Sequence, residues 1–394
     1  MRRRIGLILA IVLAVVVVGV VVVITTSKGS SGGVLSAPEP PPKPAAALTY
    51  DPAANATDVN PTAPVSVRVA TGTFGDVALR DGEGKAVEGS LSGDRTSWTA
   101  SGRLKYGEKY TWSGTATGED GNPAPLTGTF STVTPAKQLR GLINIGDGRS
   151  VGIAAPIQIQ FDGHVTDRAA VEKTLSVKTS TPVEGAWGWL PDENGGSRIH
   201  YRTKAYWPAN TKVTVTAKLF GVDYGGGAFG RADVTSTFAI GRAQIVKADA
   251  NSHRIVVMRD GKQVADYPAS YGLASDPDRN TRSGVHVVSE KFTDKRMVSE
   301  QFDYDLVEKW AVRMSNNGEF IHANPATTGV QGSSNVTHGC INLSVDNAKS
   351  YYDSAIYGDP VEVTGTPVKL ASRDGDIWDW TLSWDQWKGL SALA

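Results

Sequence analysis

The sequence predicts a mostly β protein built from several domains behind a membrane-spanning N-terminus. At 394 residues the chain exceeds what one hydrophobic core serves, since single domains run to about 100–200 residues. Its 43 glycines and 20 prolines punctuate short runs rich in Val, Thr and Ser. No long amphipathic helical stretch interrupts them, which is a pattern of strands and turns. Ahead of these runs stand three arginines and then twenty uncharged, almost wholly apolar residues. Lys plus Arg equals Asp plus Glu, 40 each. The chain therefore lacks the basic footprint of a nucleic-acid binder, and no nucleic-acid partner is expected.

Residues 1–25 read as a membrane anchor. Arg2, Arg3 and Arg4 precede the apolar run 5–24. A signal-peptide core spans about 7–15 residues and a spanning helix about 20, so the length favours an uncleaved anchor. The arginines place the N-terminus in the cytoplasm and the remaining chain outside it, tethered to the cell membrane. Cleavage as a signal, giving a secreted protein, is the alternative. No cysteine follows the run for lipid attachment. Residues 26–46, rich in Ser, Gly and Pro, make an extended stalk, with Pro38, Pro40, Pro41 and Pro42 stiffening it.

Residues 47–135 carry short strand-like runs. Val65, Val67 and Val69 alternate with polar neighbours, Asp81-Gly82 is a turn pair, and 110–113 and 128–132 are further runs. This spacing predicts an immunoglobulin-like β-sandwich. Residues 136–241 repeat the plan: Ile157, Ile159 and Phe161 alternate, Val183-Glu184-Gly185 echoes Val87-Glu88-Gly89, and 212–216 follows a turn at 208–210. Two tandem sandwiches are the simplest account. Neither holds a catalytic constellation, so both read as spacers. Trp187, Trp189 and Trp207 are either core or a surface that stacks on glycan.

From residue 242 to 365 the pattern changes to a compact β-rich domain. Asp260-Gly261 between two strand-like runs is a hairpin turn. Residues 347–355 suggest a short helix and 361–363 a closing strand. The last segment, 366–394, places Trp378, Trp380, Trp384 and Trp387 within ten residues. So much aromatic surface is not left in water, and the segment is expected to fold back onto a neighbouring domain.

Cys340 is the only cysteine, so no internal disulfide forms. A lone thiol outside the cytoplasm is a chemical liability unless it has a task. It lies in Thr337-His338-Gly339-Cys340-Ile341-Asn342, eighteen residues after His322. A thiol needs a nearby base or a positive environment to act as thiolate near neutral pH, and His322, on a strand-like run, can be brought to it by the intervening loop. Gly339 lets consecutive N–H groups aim at one spot beside the sulfur, as an oxyanion hole requires. Composition alone also allows a small buried hydrophobe. A zinc site on Cys340, His338 and His322 would lack a second thiol and a clear carboxylate, so neither metal nor cofactor is expected.

His322, a loop, and then Thr-His-Gly-Cys, any residue, Asn resembles the signature of the L,D-transpeptidase family, whose catalytic domain is of the YkuD type. An exported chain with two immunoglobulin-like domains, this domain and a Trp-rich tail is similar to the mycobacterial and actinobacterial members. The resemblance implies an enzyme that accepts peptidoglycan stem tetrapeptides as donor and acceptor. Cys340 is then the nucleophile, His322 the base and acid, and the carbonyl of Ala323, where many members have Ser, orients the imidazole. Backbone groups of His338, Gly339 and Cys340 form the oxyanion hole, and Asn342 contacts substrate. Tyr304, Asn317 and Gly318 fall where the family's lid and substrate-binding backbone lie, although the lid, near 290–312, looks short. The resemblance further implies release of D-Ala, 3→3 cross-links and acylation by carbapenems. Transfer of the acyl group to water, as an L,D-carboxypeptidase, and a catalytically weak wall-binding scaffold are the alternatives.

Overall fold

A computed structural model describes residues 41–374 and 377–394. The expected anchor and most of the stalk lie outside the described residues. Among the described residues no helix is long and apolar enough to cross a membrane.

The chain is mostly β. In the first sandwich, one sheet runs through Leu48–Asp51, Ser66–Val69, Ser97–Ala100 and Gly89–Leu91. The facing sheet is built on Thr73–Arg80 and Lys109–Thr117. Alternation buries Val67, Val69, Tyr110 and Trp112 between them, because successive strand residues face opposite sides. The second sandwich pairs Ile157–Phe161 with Gly196–Thr203, and Lys212–Ala217 with Val234–Ile240. It departs from a plain repeat by a short helix, Arg168–Glu172, and a small sheet of Asp223–Gly225, Ala228–Gly230 and Lys137–Leu139. Trp189 and Trp207 are buried, and Trp187 packs its ring 5.2 Å from Tyr201. These three tryptophans are core, not a glycan-stacking surface.

The third unit holds two sheets. A five-stranded sheet runs in the order Lys262–Pro268, Arg254–Arg259, Gln244–Asp249, Pro360–Thr364, Gly284–Val287. Its first hairpin turns at Asp260 and Gly261, both at positive φ (48° and 79°), the geometry an Asp-Gly turn supplies. The other sheet runs Glu290–Ser299, Tyr304–Arg313, Phe320–Ala323, Ile341–Leu343. Between the sheets lies a core that includes Val246, Ile321, Ile341 and Tyr351. The helix Val345–Ser354, capped by Ser344, packs behind Phe320–Ala323.

The segment expected to be a short lid is a full hairpin of two ten-residue strands, Glu290–Ser299 and Tyr304–Arg313. Only its base joins the sheet: Val312 and Arg313 pair with Ile321 and Phe320. Trp310 sits at φ 55°, a left-handed conformation uncommon for a bulky residue, and divides that base from an overhang of residues 304–309 paired only to the other hairpin strand.

The C-terminal segment returns past the third unit to the second sandwich. Trp378 and Trp387 are buried with Leu190. The indole N–H groups of Trp380, Trp384 and Trp387 donate to Ala154 O, Glu184 Oε1 and Ala186 O, each at 2.9 Å. The Arg202 guanidinium lies 4.9, 5.5 and 5.1 Å from the rings of Trp380, Trp384 and Trp387. The fully buried His200 and Asp379 meet at 2.9 Å.

Candidate active site

The register of two short strands builds the site. Phe320–Ala323 and Ile341–Leu343 pair in parallel, with His322 opposite Asn342. Parallel neighbours need a crossover connection, here the loop 324–340. That loop delivers Cys340 to the start of its strand, one residue short of pairing, beside His322. Thr337, His322 and Asn342 are buried, and Cys340 is half-buried.

The loop is held through its carbonyls. Asn335 fixes its middle, donating to Ala250 O at 2.9 Å and accepting from Tyr271 N at 3.1 Å. Arg279 donates to Val336 O and Thr337 O at 2.5 and 3.3 Å. Thr281 Oγ1 donates to Gly339 O at 2.8 Å, and Thr337 Oγ1 to Cys340 O at 2.5 Å. Among the described residues, no acceptor takes the N–H of His338, Gly339 or Cys340. Gly339 adopts φ 109°, a backbone state open to glycine and strained for other residues. N–H groups without an acceptor, beside carbonyls already engaged at Gly339 and Cys340, are donors available to negative charge.

His322 Nδ1 donates to Ala323 O at 2.9 Å, which leaves Nε2 for the thiol. Burial alone would hold the His322 imidazole below its ordinary value. Hydrogen bonds to Cys340 and to Glu308 override it and push His322 up to about 10. Glu308 Oε2 lies 3.6 Å from His322 Nδ1. His338 is exposed and packs at a tilt under the lid, 4.6 Å from the Phe302 ring and 5.7 Å from Tyr304. Burial and the nearby Arg279 charge lower its basicity. Tyr304 is raised, by burial first and by Cys340 second, so its phenol stays protonated.

Two cavities meet at His338, and the sulfur opens into one of them. One, of about 250 Å³, holds Cys340, His322, Asn342, Tyr304 and Glu308. The other, of about 460 Å³, lies on the far side of His338 and takes in Gly339, Gly318 and Asn317. The structure therefore gathers Cys340, His322, His338, Tyr304 and Asn342 around the first cavity. Gly318 reaches the sulfur from the second, its carbonyl oxygen standing 3.5 Å from Cys340 Sγ. Asn317 does not line the first cavity. Its side-chain oxygen accepts from Ser315 and its N–H donates to Asp374 O at 3.1 Å. Asn342 Oδ1 is buried without a partner among the described residues, while Asn342 Nδ2 reaches Thr327 Oγ1 at 3.4 Å. Sequence reasoning missed Glu308 and Thr327 among the lining residues, as it did Met297, Phe302, Leu306 and Asn324. Glu308 follows Tyr304 and Leu306 at every second position of one strand, so it shares their face, a signal that the reading of a short lid concealed.

A thiol and an imidazole in one cavity, beside three unengaged N–H groups, form the equipment of a cysteine acyltransferase. Comparison with known proteins gives the family. The family model for the L,D-transpeptidase catalytic domain matches residues 243–363, and that for the bacterial Ig domain matches residues 56–223. The chain belongs to the L,D-transpeptidase family. It is 53% identical over 351 residues to L,D-transpeptidase 5 of Mycobacterium tuberculosis, a match covering 89% of this chain and 78% of that protein. It is 35% identical over 355 residues to L,D-transpeptidase 2 of the same species, covering 88% and 85%. A solved L,D-transpeptidase in complex with imipenem is 32% identical, covers 58% of this chain and all of its own, and superposes with a TM-score of 0.49.

Proposed function

We propose that this enzyme joins peptidoglycan stems through a thioester on Cys340. The observation that carries the reading is the shared cavity of Cys340 and His322, with the imidazole held as a proton donor and the N–H groups of residues 338–340 taken by no acceptor among the described residues. The thiolate attacks the carbonyl of the third residue of a tetrapeptide stem. The developing oxyanion is stabilised by the N–H groups of His338, Gly339 and Cys340. His322 gives its proton to the departing D-Ala nitrogen, leaving a thioester and a neutral imidazole. The side-chain amine of a second stem then attacks the thioester. Its proton passes to His322 and the thiolate leaves, restoring the starting ion pair and closing a 3→3 cross-link. No nucleotide is consumed, because the energy of one amide passes through the thioester to the next.

The imipenem complex of a relative supports acylation of this chain by carbapenems. The apolar run 5–24 behind three arginines supports tethering on the outer side of the cell membrane. Mass spectrometry is the test of the chemistry. A carbapenem should add one equivalent to the protein and none to Cys340→Ala; an adduct retained by Cys340→Ala would overturn the assignment. With tetrapeptide muropeptides, 3→3 dimers are expected, and tripeptide monomers alone would make the enzyme an L,D-carboxypeptidase.

A further inference from the structure

The inner face of the lid overhang is apolar except at one position. Leu306 and Met297 face the cavity with Tyr304, and among the described residues Glu308 is the only acid lining it, with no Lys or Arg in the lining. The Glu308 side chain is 14% exposed, so its charge is mostly withdrawn from water. A carboxylate is left there only where something compensates it. The group that faces it is His322, 3.6 Å away. Among the described residues no hydrogen bond from another side chain or N–H reaches the carboxylate. Directly across the hairpin is Lys295, whose Nζ sits 4.5 Å from the Phe292 ring. The other titratable groups around the imidazole are Cys340, Tyr304 and His338. The helix behind Phe320–Ala323 carries Asp346, Lys349 and Asp353, of which Lys349 and Asp353 pair with each other at 2.6 Å.

We propose that Glu308 is the positioning residue that holds His322 in its protonated state as partner of the Cys340 thiolate, so that the lid supplies one of the charges on which the chemistry runs. The inference rests on the reading of Cys340 and His322 given above. The Ala323 carbonyl orients the ring, and a neutral acceptor is enough for that. Keeping a proton on a buried imidazole needs negative charge on both sides, and the thiolate provides one while Glu308 provides the other. When the thioester forms, the sulfur loses its charge and Glu308 is the counter-ion that remains. Because Glu308 stands on the overhang and not in the sheet, the imidazolium is fully supported only with the hairpin seated over the cavity.

The test is the pH dependence of two reactions of the full chain. Carbapenem acylation needs a thiolate and a proton donor for the ring nitrogen, so it falls at high pH as His322 deprotonates. Iodoacetamide alkylation of Cys340 needs only the thiolate and has no such descending limb. Glu308→Gln should move the descending limb of acylation downward by about one pH unit or more, the size an opposite charge at this distance imposes. Alkylation at high pH should match that of the unmodified enzyme. Glu308→Asp, with the carboxylate drawn back, should move the limb in the same direction by less, and it decides the question if the glutamine variant fails to fold. A limb that stays in place in a folded variant overturns the role of Glu308. That result differs from failure of the underlying reading, which is an adduct on Cys340→Ala.

Discussion

Two imidazoles stand near the sulfur, and they differ in what surrounds them. His322 is buried, tied to Ala323 O, and held by opposing charge up to about 10. His338 is largely exposed, tilted against Phe302, and lowered by its partial burial and by Arg279. At neutral pH the first carries a proton and the second does not. His322→Gln should therefore slow acylation by about 10²–10⁴-fold, the usual loss of a general acid or base, and slow alkylation of Cys340 at neutral pH. His338→Gln should keep most of the alkylation rate; loss of alkylation in this variant alone would reverse the roles. The sign for stability follows from the same shift. A group whose folded value lies above its ordinary 6.5 stabilises the fold fully below that pH. Titrating the enzyme from about 6.5 to 10 should thus lower its melting temperature, and less so in His322→Gln.

Among the elements, those fixed by local chemistry were legible in the chain. The Asp260-Gly261 turn, the alternating strands at Ser66–Val69 and Ile157–Phe161, and the Thr-His-Gly-Cys segment each declare themselves within a few residues. The contacts that complete the site did not. Glu308 and His322 lie on different strands, and His200 pairs with Asp379 across 179 positions, so no spacing rule connects them. The helix was expected at 347–355 and begins at Val345, because Ser344 supplies its cap. The turn 315–319 shows how far such a connection reaches. Glu319 accepts from Ser315 and Arg282, and Arg282 lies 2.9 Å from Asp374 of the C-terminal segment, whose backbone also takes the N–H of Asn317. The tail thereby braces the carbonyl of Gly318 against the thiol. Ending the chain at residue 365 should lower both the melting temperature and the acylation rate; full acylation by the truncated protein would show that the brace is dispensable. Trp387→Ala, opening a space beside Leu190, should cost about 3–5 kcal/mol in chemical denaturation.

Across the whole molecule, the joints between units are unequal. The sandwiches meet through Tyr106, which accepts from Gly221 N and donates to Gly230 O, each at 2.8 Å, and through Arg103 and Asp233 at 2.6 Å. The second sandwich and the third unit share a closer seam. Gly152 N donates to Tyr357 O at 2.7 Å, and a Cβ on Gly152 would stand 2.3 Å from Asp359 N, so Gly152→Ala should loosen this seam. The tail then joins the same two units again, with Ile377 among Ala154 and Val287. Calorimetry of the intact protein should resolve two transitions, one for the first sandwich and one for everything after it; three independent transitions would contradict the double joint. In topological terms the catalytic unit is an insertion, spliced into a body whose two parts are residues 136–241 and 366–394. A chain made from its N-terminus onward therefore leaves the groove at Leu190 and Arg202 open until residues 378–387 have emerged. The sandwich whose strands are synthesised second is completed after the unit that follows it, and a message cut between the codons for Cys340 and Trp378 yields a protein with its Thr-His-Gly-Cys segment written in full and its own foundation unfinished.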